Sequence, residues 1–384
     1  MIDLELITST IKTCLPQGQD TYPLHEPSFK GREWEYVKEC LDTGWVSSVG
    51  KYVDLFEERL AEFTGVKRAV AVVNGTASLH IALKLAGVEP GDEVLIPALT
   101  FVATANAVVY CNAIPHFVDN ELKTLGMDPS KLSEYLADIT NIVDGKCINK
   151  NTGRRIKAVV PMHTFGHPVD LDPLVEIAAR YHLEIVEDAA ESLGSYYKGK
   201  HTGNWGKLSA LSFNGNKIIT TGGGGAILTN DEHLGKLAKH LTTTAKVSHQ
   251  WTFYHDMVGY NYRLPNINAA LGCAQLEQLP GFIKQKRDLA KRYREIFKDV
   301  EGVTIFQEAE FAKSNYWLNA LLLEPQYAPY RDELLTKTRA HGILTRPAWG
   351  LMPTLPMYKN CPKMNLAVAE DIVERLINLP SSGG

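Results

Sequence analysis

Short runs of aliphatic and β-branched residues alternate with longer amphipathic stretches between about residues 66 and 230, and this alternation limits the fold most. Residues 67–73, KRAVAVV, have the composition of a strand, and residues 76–87, TASLHIALKLAG, that of a helix ending at Gly87. Further strands are predicted over 93–99, 114–119, 158–164 and 184–190, and further helices over 101–111 and 170–182. Repeated strand–helix–strand units predict a mainly parallel sheet covered by helices on both faces.

The pattern changes after about residue 208. Strands are predicted over 208–213 and 224–230 with no helix between them, and the chain then becomes mostly helical. Predicted elements in this part are helices over 266–279, 280–297 and 331–342 and a strand over 315–323. Pro280 and Gly281 predict a kink or break between the first two of these helices.

These patterns divide the 384 residues into three parts. We predict an N-terminal arm over 1–30, a large α/β domain over 31–250 and a smaller C-terminal α+β domain over 251–384.

Charge and composition narrow the class of partner. The formal net charge is −4, and no basic run indicates binding to nucleic acid or to an anionic membrane surface. There is no apolar stretch of ~20 residues and no secretory signal at the start, and the six cysteines form no CxxC pair. We therefore expect a cytoplasmic protein with reduced cysteines, no metal site, and a small-molecule or protein partner.

A strand-to-helix junction at 73–78, VNGTAS, is the first candidate site. The first N–H groups of a helix lack internal acceptors and carry partial positive charge, so Gly75 and Thr76 could hold a phosphate. Simple capping of the helix by Asn74 or Thr76 explains the same residues.

Two further candidates follow predicted strands. Asp188 ends the strand over 184–190, where a carboxylate can pair with a cationic ring nitrogen or a metal, although a solvated acidic loop is an equal alternative. Lys217 follows the strand over 208–213 and could be a nucleophile toward carbonyls if partly desolvated, although most lysines lie on the surface.

Taken together, the three segments indicate one cofactor. A group that carries a phosphate, a ring nitrogen and an aldehyde needs a phosphate-binding junction, a carboxylate and an amine. Pyridoxal 5′-phosphate carries all three groups, and we expect it to be the cofactor.

The chain resembles the sugar-nucleotide aminotransferases of the DegT/DnrJ/EryC1/StrS family over almost its whole length. The resemblance is carried by NGTASL (74–79), PALTF (97–101), EDAA (187–190), SF (212–213) with Lys217, and GYNYR (259–263). Residues 212–225, 346–349 and 355–358 are most similar to the subgroup that makes 4-amino-4,6-dideoxy-N-acetylhexoses for legionaminic-acid-type or bacillosamine-type pathways.

This resemblance implies fold type I, the aspartate aminotransferase-like architecture, and a role for each motif residue. Lys217 would bond the aldehyde of the cofactor and move the proton, and Asp188 would keep the ring nitrogen protonated. The remaining contacts would be Gly75, Thr76 and Ser212 to the phosphate, Phe101 stacked on the ring, and Asn261 reaching the phosphate from the neighbouring subunit of a homodimer.

Two further positions have no role that the resemblance fixes. Where relatives often carry Gln or His beside the phenolic oxygen of the cofactor, this chain has Glu191. Arg346 is a candidate contact for the diphosphate of a substrate or the carboxylate of an amino donor, with a surface cation as the alternative.

The implied activity is transfer of an amino group from L-glutamate to the C4 ketone of a nucleotide-linked 4-keto-6-deoxyhexose, with a UDP-N-acetyl sugar expected, in the synthesis of surface polysaccharides. The alternatives are a 3-keto-sugar aminotransferase, a lyase or dehydratase of the same fold, and a binding protein without activity. Retention of both Lys217 and Asp188 disfavours the last.

Overall fold

The computed structural model describes residues 2–382, which form eleven α-helices and eighteen strands. The helices are α1 Leu4–Thr13, α2 Glu33–Thr43, α3 Lys51–Thr64, α4 Gly75–Leu85, α5 Val102–Tyr110, α6 Pro129–Ile139, α7 Leu171–Tyr181, α8 Glu232–Thr242, α9 Asn266–Ile296, α10 Arg331–Ala340 and α11 Ala367–Arg375. The strands are β1 Arg68–Val72, β2 Glu93–Pro97, β3 Ile114–Val118, β4 Thr140–Val143, β5 Lys146–Asn149, β6 Arg155–Val159, β7 Glu184–Asp188, β8 Tyr196–Tyr197, β9 Lys200–His201, β10 Leu208–Ser212, β11 Gly225–Thr229, β12 Lys246–Val247, β13 Tyr254–His255, β14 Val303–Ile305, β15 Ala312–Lys313, β16 Asn319–Leu323, β17 Arg346–Pro347 and β18 Leu376–Leu379.

The largest sheet positions the site. Its main path is β1-β11-β10-β7-β6-β2-β3, with β5 and β4 attached beside β6. The pairs between β10, β7, β6, β2 and β3 are parallel, and only β11 on this path runs against its neighbours. This confirms the predicted mainly parallel sheet, and the reversed β11 follows from the absence of a helix between β10 and β11.

Both faces of this sheet are buried. In β2, Val94 and Ile96 belong to one hydrophobic cluster, whereas Leu95 belongs to another on the opposite face. Successive side chains of a strand point to opposite faces, so a strand that is apolar throughout needs cover on both. The predicted helix layers are therefore confirmed.

A second, smaller sheet has the order β14-β16-β18-β17. Leu321 and Ile377 of this sheet form a separate hydrophobic cluster with Ile7 and Ile11 of α1. The helix of the segment predicted as an N-terminal arm thus packs with C-terminal elements of the chain. The predicted boundaries at residues 30 and 250 stay predictions.

Of the kink or break predicted at Pro280, the break is wrong, because α9 runs through this position without interruption. The kink stays a prediction. Pro280 and Gly281 are exposed, whereas Cys273, Leu276 and Leu279 just before them are buried in the main cluster. A proline inside a helix costs about 3 kcal/mol, and each buried aliphatic side chain contributes roughly 1.5–3 kcal/mol. Packing of α9 therefore outweighs the local cost.

Two predicted strands are shorter than the sequence indicated. The strand over 315–323 begins only at Asn319, because Tyr316 has a φ of 48° and cannot be extended. The strand over 158–164 ends at Val159, because Pro161 has no N–H to donate to a neighbouring strand. Both irregular segments border the site described next.

The helices within residues 2–382 include none with both the length and the apolar run that crossing a membrane requires.

Candidate active site

A cavity of about 280 Å³ lies where the carboxyl ends of β1, β7 and β10 meet. These three strands run in the same direction, so the loops that follow them meet at one edge of the sheet. The cavity is lined by seven of the predicted site residues, Gly75, Thr76, Phe101, Asp188, Glu191, Ser212 and Lys217.

One end of the cavity is formed by the N-terminus of α4. Asn74 caps this helix, because its Oδ1 accepts the N–H of Ala77 at 2.8 Å. The N–H groups of Gly75 and Thr76 belong to the first turn, which has no intrahelical acceptors. Capping and phosphate binding are thus compatible, since the cap uses a different N–H group.

Glycine is needed at position 75 because β10 approaches so closely. A Cβ placed there would lie 2.9 Å from Cβ and 3.2 Å from Oγ of Ser212. A Cβ on Gly225, at the start of β11, would lie 2.6 Å from the carbonyl of Asn74. This close approach places backbone N–H groups and the Ser212 hydroxyl around one space, a donor set that fits the phosphate of pyridoxal phosphate.

Asp188 lies at the end of β7 and is buried. Its Oδ2 accepts the hydroxyl of Thr104 at 2.7 Å, and its Oδ1 accepts the N–H of Ala190 at 3.2 Å. Burial raises the pKa of Asp188, which the Thr104 hydrogen bond partly offsets. A buried carboxylate held in this way fits a cationic ring nitrogen, because the opposite charge would offset the free-energy cost of removing the carboxylate from water.

Lys217 lies beyond β10, and its side chain is only 12% exposed. Its Nζ lies 3.2 Å from Oε1 of Glu191 and 4.0 Å from the centre of the Trp317 ring. Glu191 also accepts the N–H of Phe165 at 2.9 Å through Oε2. The amine is therefore held between a carboxylate and an aromatic face, inside the cavity that Asp188 also lines.

Aromatic side chains that the sequence analysis missed form part of the wall. Trp317 and Trp349 line the cavity, and the ring of Trp349 lies 6.1 Å from Phe101 and 5.0 Å from Phe165. The motif RPAW, used for the resemblance, already contained Trp349. Trp317 was assigned to a regular strand, so nothing in the pattern marked it.

Thr104 is a second missed residue. Thr104 lies within the predicted helix over 101–111, and in the structure its hydroxyl bonds both Asp188 and, at 2.8 Å, Thr100. Thr100 lies before α5, which begins at Val102, so no helix-face pattern in the sequence marked this pair.

Two predicted residues do not line the cavity. Asn261 is exposed, and its Oδ1 accepts Nε and Nη2 of its own Arg263 at 3.2 and 3.1 Å. Arg346 is exposed in β17, on the small sheet. The expectation for Asn261 concerns a neighbouring subunit, so a single chain leaves it a prediction.

Comparison with known proteins gives the same family as the motifs. Residues 27–384 match the DegT/DnrJ/EryC1/StrS aminotransferase family. The chain is 40% identical to GDP-perosamine synthase of Escherichia coli O157:H7, over 94% of this chain and 93% of that protein.

Solved structures extend the comparison. PseC of Helicobacter pylori, an aminotransferase involved in the biosynthesis of pseudoaminic acid, has a TM-score of 0.86 at 26% identity over 95% of this chain and 94% of its own. The PLP form of Spr1654 from Streptococcus pneumoniae has a TM-score of 0.84 at 25% identity over 94% of both chains. The chain therefore has fold type I, depends on pyridoxal phosphate and belongs to the DegT/DnrJ/EryC1/StrS aminotransferase family.

Proposed function

We propose that this enzyme transfers the amino group of L-glutamate to the C4 ketone of a nucleotide-linked 4-keto-6-deoxyhexose. The observation that carries the proposal is the shared cavity, in which Lys217, Asp188 and the N-terminus of α4 face one space. An amine, a buried carboxylate and a phosphate-binding helix end are the partners that pyridoxal phosphate needs.

The residues have distinct tasks in this proposal. Gly75, Thr76 and Ser212 bind the phosphate and so fix the cofactor in the cavity, and Phe101 covers one face of its ring. Asp188 keeps the ring nitrogen protonated. Lys217 carries the cofactor between turnovers and moves a proton at the carbon that gains or loses the amino group. When bound, the cofactor supplies an electron-withdrawing ring that stabilises negative charge at that carbon.

The identity of the nucleotide that carries the sugar is also part of the proposal. The resemblance indicated a UDP-N-acetyl sugar, whereas the relative with 40% identity is named for a GDP-linked product. We therefore propose GDP as the first nucleotide to test, with UDP- and dTDP-linked ketones beside it. Arg346 is the proposed diphosphate contact, although it lies outside the cavity of a single chain.

A homodimer with shared sites is also proposed. The segment around β12 and β13 exposes Trp251 at 79%, Phe253 at 81% and Val258 at 83%. Several large apolar side chains exposed in one short segment indicate a protein contact. The same part of the chain leads into Asn261, which we propose to reach the phosphate in the partner subunit.

The first experiment is spectroscopic. Purified protein mixed with pyridoxal phosphate should develop a visible absorbance band, and Lys217→Ala should not, because the variant lacks the amine that bonds the cofactor. If the wild-type protein takes up no pyridoxal phosphate, the proposal fails.

The second experiment separates substrates and reactions. With glutamate and each nucleotide-linked ketone, 2-oxoglutarate should form in proportion to the amino sugar. A lyase or dehydratase would consume substrate without this product, and amination of a 3-keto sugar alone would refute the proposed C4 position.

A further inference from the structure

The cavity contains two buried carboxylates and one amine, but only one carboxylate touches the amine. Oε1 of Glu191 lies 3.2 Å from Nζ of Lys217, and the two side chains are only 1% and 12% exposed. The oxygens of Asp188 instead accept hydrogen bonds from Thr104 and Ala190. The two carboxylates are therefore arranged for different partners.

Glu191 is held rigidly at this distance. Its Oε2 accepts the N–H of Phe165, which has a φ of 56° within a 3₁₀ turn, Thr164–Gly166. A phenylalanine with positive φ is strained, and such strain persists only where the surroundings fix it. The strained conformation of this turn directs the N–H group of Phe165 at Glu191.

Asn315 fixes both neighbours of the amine. Its Nδ2 donates to the carbonyl of Glu191 at 2.9 Å, and its Oδ1 accepts the N–H of Trp317 at 2.8 Å. Glu191 and Trp317 are therefore tied to one buried side chain, and both contact Nζ of Lys217.

We propose that Glu191 is the counter-ion of the nitrogen at position 217, and that it sets the pH range over which this nitrogen keeps its proton. The inference rests on the proposed function and deepens it. A Gln or His at this position, as the resemblance would lead one to expect, could give a hydrogen bond but no fixed negative charge. Glu191 thereby acts as a positioning residue that favours the protonated form of the nitrogen at position 217, while Asp188 remains available to the ring nitrogen of the cofactor.

Asp188 is the other carboxylate whose charge acts on Lys217, but it forms no ion pair with Nζ, and its oxygens accept hydrogen bonds from Thr104 and Ala190. Burial lowers the pKa of His25 well below its ordinary value, so that this side chain is neutral at pH 7. His163 is bonded to another buried carboxylate, Glu187, at 3.0 Å. Burial raises the pKa of Glu191 to about 7, an effect that the charge of Lys217 opposes, so the carboxylate is half ionised near that pH and its negative charge becomes complete as the pH rises further.

The test is Glu191→Gln, which keeps the shape of the side chain and removes its charge. In the holoenzyme without amino donor, the pH midpoint of the visible absorbance change should fall by about one unit or more, the effect of losing an opposite charge within ~4–6 Å. In cofactor-free protein, the rate at which the band appears after adding pyridoxal phosphate should reach half its maximum at a lower pH than in the wild type. The nitrogen at position 217 is then neutral down to a lower pH in both measurements.

Glu57→Gln is the matched control. Glu57 also pairs with a lysine, Lys239, at 2.7 Å and accepts a backbone N–H, from Ala71, at 2.8 Å, but it lies outside the cavity. This variant should leave both midpoints unchanged.

The outcomes are separable. If Glu191→Gln binds the cofactor with an unshifted midpoint, the inference is overturned while the proposed function stands. If Glu191→Gln does not fold, Glu191→Asp decides, since withdrawing the charge by one methylene should produce a smaller shift in the same direction, and no shift overturns the inference. If the wild-type protein binds no pyridoxal phosphate, it is the proposed function that fails.

Discussion

At the scale of single residues, the absence of a side chain is as important as the groups that carry charge. Gly75 has no Cβ, and this alone lets the end of β10 come within contact distance of the first turn of α4. The phosphate-binding end of the cavity therefore depends on a backbone approach that any larger residue would prevent.

We predict that Gly75→Ala weakens pyridoxal phosphate binding by at least roughly ten-fold, because the added methyl would lie 2.9 Å from Cβ of Ser212 and push the two elements apart. Titration of cofactor-free protein, followed by absorbance, measures the effect. Gly223→Ala is the control, since a Cβ there meets nothing within 4 Å. Equal affinity in Gly75→Ala and the wild type would contradict the proposed phosphate site.

At the scale of elements, α9 shows how packing decides the extent of a helix. Its first half is buried against the main core beside α2 and α3, and Leu289 and Tyr293 in its second half belong to the cluster of the small sheet. One helix therefore contributes to two hydrophobic clusters, which explains why it continues through Pro280.

Two glycines of α9 should respond to the same substitution in opposite directions. Gly281→Ala should raise the free energy of unfolding by up to about 1 kcal/mol, because alanine favours helix more than glycine does and a Cβ at this position meets nothing within 4 Å. Gly272→Ala should lower it, because its Cβ would lie 2.8 Å from both Phe56 and Thr221. Urea unfolding of the cofactor-free variants gives both values, and a shift of the same sign in both would contradict this account of α9.

At the scale of the whole molecule, Lys286 joins parts of the chain that are far apart in sequence. It is buried in α9, and its Nζ donates to the carbonyls of Trp317 at 3.0 Å and of Ser381 at 2.7 Å. Burial lowers the pKa of Lys286 to about 7. Two neutral acceptors suit a neutral amine, so this contact connects the cavity wall to the last described residues without burying a charge.

This predicts a pH dependence of stability. Between about pH 7 and the ordinary lysine value near 10.4, the unfolded chain holds a proton at Lys286 that the folded chain lacks. The contribution of Lys286 to the free energy of unfolding should therefore rise with pH across that window. The unfolding free energy of the wild type minus that of Lys286→Met should become more positive from pH 7 to pH 9.5. A constant value would mean that Lys286 keeps its proton when buried.

The proposed shared site makes a prediction for mixed oligomers. Lys217→Ala and Asn261→Asp should each be inactive alone, the second because a carboxylate would repel the phosphate. In a random equal mixture, half of the dimers combine the two variants, and each of these dimers has one intact site of two. The mixture should therefore recover about a quarter of the wild-type activity. Recovery should be absent if Asn261 serves the cavity of its own chain.

The mainly parallel sheet and the cavity edge could be predicted from sequence because both depend on local patterns. Apolar runs such as 93–97 cannot be half exposed, and the carboxyl ends of parallel strands necessarily share an edge, which brought Asp188 and Ser212 together. The helices at 4–13, 33–43 and 51–64 and the elements over 129–149 were not predicted.

The sequence by itself therefore determined the sheet, its direction and the strand ends that carry the cofactor residues, because backbone periodicity encodes them. Only the tertiary structure decided that α9 continues through Pro280 and that Thr104 bonds Asp188. The same holds for the contacts of Lys217 with Glu191 and with Trp317, the second of which joins residues 100 positions apart. Such contacts depend on how distant elements pack, and no local pattern specifies that.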